Sequence, residues 1–482
     1  MFDMQLIVGG RDVAAVTGAR FERRHPATQE VVTRAAAAGT GDALAAVEAA
    51  RAALPVWAGM GPGARRAVLL RAAELLRARV GDVVERMMAE TGATKEWAGF
   101  NAMLAADMLV EAAALTTRVS GEAIPSDRPG TLVLALREPA GVVLGIAPWN
   151  APVILGVRAV ATPLACGNTV VLKASEVCPA THHLIGEVLR EAGLPAGAIG
   201  VVSTAPADAP EVVEALIAHP AVRRVNFTGS TRVGRVVGEV AARHLKPALL
   251  ELGGKAPMIV LDDADLDQAV AAAAFSAFAN SGQICMSAER LVVDEAVADA
   301  FVEKLGRKAR ALPAGDSRQG PVIGNLVSPE AAERLRGLLR DAVEGGARCV
   351  AGGAVDGTVM MPTVLDHVTP AMRLYAEESF GPVVCVVRVR GVEEAVRVAN
   401  DNDYGLSAAV FGRDLARALS VARRIESGMC HVNGPTVHDE AQMPFGGTKA
   451  SGYGRFGGQA GVEAFTELRT ITIATAPLQY PF

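Results

Sequence analysis

Cysteine is sparse in this chain, with six residues in 482: Cys166, Cys178, Cys285, Cys349, Cys385 and Cys430, none in a Cys-x-x-Cys pair. That argues against a disulfide framework or a zinc cluster and points to reduced thiols. A basic excess is missing too: 47 Lys+Arg against 52 Asp+Glu leave a net charge of -5, which gives no support for binding nucleic-acid backbones. No run of about 18 uncharged apolar residues suggests a membrane span. The start, MFDMQLIVGGRD, lacks the basic, apolar and cleavage regions of a secretory signal. The expectation is a cytoplasmic protein with neither nucleic-acid nor membrane partners. The eight histidines show no His-Glu-x-x-His and no His/Cys ligand spacing, so no metal is expected. His182 and His183 fall on a predicted helix and are expected at its surface.

What is present is length and regular alternation. A chain of 482 residues is too long for one ordinary core, and two or three domains are expected. From GDALAAVEAARAALPVWAGM to ARRAVLLRAAELLRARVGDVVERMMAETG, apolar residues recur every three or four positions, predicting amphipathic helices. TLVLALREPAGVVLGIAPWN reads as strands. Strand and helix then alternate through NTVVLK, ATHHLIGEVLREAG, IGVVS, APEVVEALIAHP and VRRVNFTGS. This rhythm predicts an α/β fold with a parallel sheet and crossover helices. A second alternating region begins near LLELGGKAPMIVL.

Five segments could carry chemistry. In SGQICMSAER, Cys285 is buried filler or a nucleophile. In LLELGGKAP, Glu251 stands among apolar residues, which raises a carboxyl pKa as a general base requires; a buried ion pair or a turn contact would fit as well. In GIAPWNAP, Asn150 lies between two prolines, preorganised to donate to an oxyanion or simply supporting its own turn. VNFTGSTRVGR places Gly229, Ser230 and Gly234 at a strand-to-helix turn, suited to a pyrophosphate though it lacks G-x-G-x-x-G. VVLKASE places Lys173 and Glu176 past a strand, where a carboxylate would accept from ribose hydroxyls and repel a 2′-phosphate, or be plain surface charge.

Together with EESFGPV and MPFGGTKASGYGR, these segments resemble, in order and across nearly the whole chain, the aldehyde dehydrogenase superfamily. The phrases EWAGFNAMLAADML, GVVLGIAPWNAPVILGVRAVATPLACGNTVVLKASE and CHVNGPTVHDEAQMPFGGTKASGYGRFGG are most similar to bacterial aromatic-aldehyde dehydrogenases of the salicylaldehyde, benzaldehyde and vanillin type. The resemblance implies a Rossmann-like cofactor domain (1–117 and 138–248) interleaved with an α/β catalytic domain (249–467). It also implies a small β oligomerisation element (118–137 and 468–482) that gives a homodimer or homotetramer.

The resemblance further implies Cys285 as nucleophile, Glu251 as general base and Asn150 as oxyanion donor. The cofactor would contact Ile146, Pro148, Trp149, Lys173, Glu176, Gly229, Ser230, Gly234, Leu252, Glu378 and Phe380. NAD is expected ahead of NADP because of Glu176. Trp97, Ala151, Leu155, Arg158 and Phe445 would line the aldehyde tunnel, with Ala151 small enough to leave room for a ring and Arg158 either meeting a ring oxygen or forming a salt bridge. The implied reaction takes an aromatic aldehyde to its acid through a thiohemiacetal and a thioester on Cys285. The rival expectations are an aliphatic or semialdehyde substrate and a cofactor-independent cysteine esterase.

Overall fold

The valine-rich runs become the middle of a sheet. In the computed structural model, which describes all 482 residues, five parallel strands lie in the order Ala248–Glu251, Val222–Thr228, Val142–Ile146, Thr169–Lys173, Ile199–Val202. They are buried almost throughout, and so read as continuous aliphatic runs rather than alternating ones. Helices Thr40–Gly59, Pro152–Ala165, Pro179–Glu191, Ala209–Ala218 and Thr231–Arg243 pack on this sheet. Antiparallel edges finish it, with Leu6–Val8 and Arg11–Val13 on one side and Gly452–Tyr453 on the other. The strand order turns at Val142–Ile146, the place where a doubly wound sheet opens a crevice for a ligand.

A second sheet of seven strands runs Arg348–Ala351, Thr363–Asp366, Val383–Val389, Ala288–Asp294, Ala256–Val260, Ser407–Phe411, Met429–Val432. All are parallel except the first, which opposes Thr363–Asp366. The strand carrying Glu251 and the late strand Gly452–Tyr453 both belong to the first sheet, although they fall inside the 249–467 stretch read as a second unit. Thr131–Pro139 pairs antiparallel with Thr466–Ala474 over nine residues, and with Glu122–Ile124 on its other side. This third sheet exposes Ile124, Leu132, Leu468 and Ile473.

Two elements depart from what the pattern predicts. Helix Lys95–Leu115 is long and apolar enough to cross a membrane, yet it packs against helices Pro62–Ala78, Val80–Thr91 and Pro152–Ala165 as a core helix. His182 and His183 are buried, not at the helix surface, because Pro179–Glu191 is wedged between three other helices and the first sheet. His182 Nδ1 accepts from the Ser175 amide at 3.0 Å, and Nε2 meets the Pro152 carbonyl at 3.1 Å. Burial pushes its pKa down to about 3. It is a neutral pin joining the loop after Lys173 to the start of the helix after Asn150.

Candidate active site

Cys285 follows a turn that few sequences adopt. Asn280, Ser281 and Gly282 take φ of 47°, 55° and 68° in succession, a left-handed run that costs energy at the two non-glycine positions. A Cβ on Gly282 would sit 2.0 Å from the Gly381 carbonyl oxygen, so only glycine lets this turn meet the segment after Phe380. The Ser281 hydroxyl donates to Gly324 O at 3.0 Å, and Gln283 Nε2 donates to Asn325 O at 3.3 Å. These contacts hold the turn against its strain and leave Cys285 partly exposed just before strand Ala288–Asp294.

Asn150 meets this turn from the first sheet. Its Nδ2 donates to Gln283 O at 3.0 Å, and its own carbonyl accepts from Trp97 Nε1 and Asn280 Nδ2, both at 3.0 Å. The amide nitrogen carries a second N–H. Buried and fixed on three sides, Asn150 can offer that donor beside Cys285 without reorganising.

Glu251 ends strand Ala248–Glu251, is 1% exposed, and has no hydrogen-bond partner on either carboxylate oxygen. Burial drives its pKa up to about 8, against the pull of the Arg158 guanidinium. The Cys285 thiol is raised as well, by burial and then by the charges of Glu251 and Glu378. An unpartnered carboxyl that titrates near neutrality, beside a thiol, is suited to taking a proton.

Two cavities lie on either side of the Trp149–Asn150 peptide. One, of about 630 Å³, opens at the carboxyl ends of the first sheet and is lined by Ile146, Pro148, Trp149, Lys173, Glu176, Phe227, Gly229 and Ser230. Lys173 pairs with Glu176 at one end, and Thr204 Oγ1 donates to Glu176 at 3.3 Å. At the floor, the Ser230 hydroxyl caps helix Thr231–Arg243 by accepting from Val233 N. That helix N-terminus faces a turn which a Cβ on Gly229 would crowd, 2.5 Å from the Phe227 ring. A carboxylate, an apolar slot and a helix N-terminus in this order fit ribose, adenine and pyrophosphate. Gly234 and Leu252 lie behind the cleft, packed on each other. Glu378 and Phe380 come from the second sheet's side. Glu378 accepts from Gly254 N at 2.9 Å, and Phe380 meets Trp149 edge-on at 5.7 Å.

The other cavity, about 750 Å³, is mostly apolar and reaches Cys285 and Asn150. Trp97, Ala151, Leu155, Arg158 and Phe445 all line it, with Phe100, Ile154, Phe275 and Phe278. Arg158 is buried and ion-paired with Asp439, and its guanidinium lies 4.1 Å above the Phe445 ring. Adjacent residues thus face different cavities, Trp149 the first and Asn150 the second.

Sequence reading missed the left-handed run, the anchors Gln283 and Asn280, and Asp439. The only local signal was a Ser-Gly after an Asn. Asp439 lies 281 residues from its partner, beyond any local pattern.

Residues 13–471 match the Aldehyde dehydrogenase family. A vanillin dehydrogenase of Pseudomonas fluorescens is 61% identical, with both chains covered in full. A benzaldehyde dehydrogenase [NAD(+)] of Pseudomonas putida is 38% identical over 95% of this chain and 94% of its own. A crystal structure of a salicylaldehyde dehydrogenase from Pseudomonas putida G7, complexed with salicylaldehyde, superposes with a TM-score of 0.98 at 49% identity over the whole of both chains. This chain belongs to the aldehyde dehydrogenase family.

Proposed function

We propose that this enzyme oxidises aromatic aldehydes to carboxylic acids with NAD, using Cys285, Glu251 and Asn150. The observation that carries the reading is the apolar tunnel ending at Cys285, walled by Trp97 and Phe445 with only Ala151 beside the donor. Relatives named for vanillin, salicylaldehyde and benzaldehyde support it.

The Cys285 thiol gives up its proton to solvent, and its sulfur adds to the aldehyde carbon. The free N–H of Asn150, with the Cys285 amide, stabilises the oxyanion of the thiohemiacetal. NAD, when bound, supplies the acceptor for the hydride that leaves this carbon. Glu251 then takes a proton from water, which attacks the thioester and frees the acid. Lys173 and Glu176 would hold the adenosine ribose, and Gly229 with Ser230 the pyrophosphate. Ile146, Pro148 and Trp149 form the apolar wall, with Gly234 and Leu252 backing the turn. Glu378 and Phe380 would hold the nicotinamide ribose and ring. Glu176 disfavours the 2′-phosphate of NADP.

A semialdehyde calls for a cation at its distal carboxylate; of the two cations lining the tunnel, the buried Arg158 is paired with Asp439 and Lys308 is exposed. Within that pair, the remaining Arg158 N–H groups serve a ring oxygen. The sheet Glu122–Ile124, Thr131–Pro139, Thr466–Ala474, with its exposed Ile124, Leu132, Leu468 and Ile473, is the surface by which copies of the chain would assemble as dimers or tetramers. Six free cysteines support a cytoplasmic enzyme.

The test is NADH formation by the purified enzyme with vanillin, salicylaldehyde, benzaldehyde, succinate semialdehyde and hexanal. The aromatic aldehydes should give kcat/KM about tenfold or more above the others. A higher value for hexanal or succinate semialdehyde overturns the substrate assignment.

A further inference from the structure

Lys255 and Glu289 form a buried ion pair, 0% and 2% exposed, with Nζ 2.6 Å from Oε2. The mechanism above uses neither. Each stands four residues past a catalytic one, Lys255 after Glu251 and Glu289 after Cys285. Their other hydrogen bonds converge on a single loop. Lys255 Nζ donates to Glu377 O at 2.8 Å, while Glu289 accepts from Ser379 N at 2.7 Å and from Phe380 N at 3.1 Å. From outside, Arg334 on helix Pro329–Glu344 donates to Glu378 O at 3.0 Å and to Ser379 O. The loop so held contains Glu378 and a phenylalanine, Phe380, at φ 46°.

A buried ion pair is a poor device for stability alone, since two well-packed apolar side chains would serve the fold as well. What apolar groups cannot do is hold three consecutive peptide groups of an irregular loop in a strained backbone conformation. We propose that Lys255, Glu289 and Arg334 clamp loop 377–380 so that Glu378 and Phe380 are presented to the nicotinamide half of the cofactor. They are positioning residues that act through the loop, and the inference rests on the cofactor role given to Glu378 and Phe380 above.

The test is titration calorimetry of the full-length enzyme with NAD. Hydrolysis of p-nitrophenyl acetate, which needs Cys285 but no cofactor, is measured alongside. Glu378→Ala establishes the loop's own contribution. The Lys255→Met/Glu289→Gln double variant removes both charges, so neither is left buried and unpaired. Arg334→Ala alters an exposed side chain and decides alone if the double variant fails to fold. Each clamp variant should weaken NAD binding about tenfold, with ester hydrolysis within about twofold of the parent. Wild-type NAD affinity in the clamp variants, with weakened binding in Glu378→Ala, overturns the clamp and leaves the loop's role intact. Unchanged affinity in Glu378→Ala overturns the loop reading and the clamp with it. Ester hydrolysis falling in step with NAD affinity also overturns the clamp, because the three residues would then be supporting the whole site.

Discussion

The sheet around Val142–Ile146 presents the carboxyl ends of its strands to the site: Glu251, Ile146, Lys173 and the turn after Thr228. The sheet around Ala288–Asp294 presents amino ends, with Gly254, Cys285 and Phe380 all lying just before a strand. Carboxyl ends of parallel strands feed helix N-termini, which favour anions, so the first sheet suits a pyrophosphate. Amino ends are entered from loops, which can be bent into conformations regular elements forbid. The left-handed run at 280–282 and the φ of Phe380 are both on that side. The first sheet therefore supplies field, and the second supplies geometry.

Several changes would break or sharpen this contrast. Cys285→Ala should lower kcat by at least about 10⁴-fold while leaving the NAD dissociation constant unchanged, since Cys285 lines the apolar cavity and not the one assigned to the cofactor. Asn150→Ala should cost about 10²–10³ in kcat, measured with vanillin at saturating NAD.

Glu251→Gln should give a single burst of NADH near one equivalent and then stall, because the thioester forms without a base to hydrolyse it. The parent's kcat/KM should rise with pH through about 8 as Glu251 loses its proton. Stability runs the other way. A carboxyl whose pKa is raised by folding holds its proton in the native state, so its contribution is fully present below the unfolded value and lost as pH rises toward about 8. The parent's Tm should fall between pH 5 and pH 8 more than that of Glu251→Gln, a difference of about one proton in linkage. Equal slopes in a thermal melt series would show that Glu251 is not buried as a carboxylic acid.

Gly229→Ala, whose Cβ would press on the Phe227 ring, should weaken NAD about tenfold and leave p-nitrophenyl acetate hydrolysis untouched. A loss of ester hydrolysis would mean that the two sheets are not separable in this way. Glu176→Gln should have the smallest effect, narrowing the preference for NAD over NADP by about tenfold or less in paired kcat/KM measurements.

The first sheet was the more legible of the two. Its strands are local, continuous and separated by helices of regular period, so Val142–Ile146 through Val222–Thr228 can be read segment by segment. The chemistry of Cys285, Glu251 and Asn150 could not be assigned from their own surroundings, where filler, an ion pair and a turn competed with the active readings. The ordered set of segments favours the active readings, as what the family resemblance implies. What stayed hidden depends on long-range packing. His182 and His183 look amphipathic on a helix wheel, yet the helix turns both inward and leaves only Glu187, Arg190 and Glu191 toward its open side. Arg158 finds Asp439 across 281 residues. Ser281 adopts a left-handed φ held by contacts to Gly324 and Asn325, more than 40 residues away.

The short strand Gly452–Tyr453, which closes the first sheet beside Glu251, has a consequence in time. A chain leaving the ribosome at about 5–20 residues per second needs roughly 25–90 s to reach this strand. Until then the edge Ala248–Glu251 has no partner on that side, and the hydrogen bond from Leu252 N to Ser451 O cannot form. The carboxyl proposed as general base is therefore seated among the last events of synthesis, long after the proposed nucleophile, Cys285, has emerged. A nascent or truncated chain ending before residue 450 would carry Cys285 near a sheet edge still open beside Glu251. In the cell, such a fragment is a target for chaperones and proteases rather than a slow enzyme.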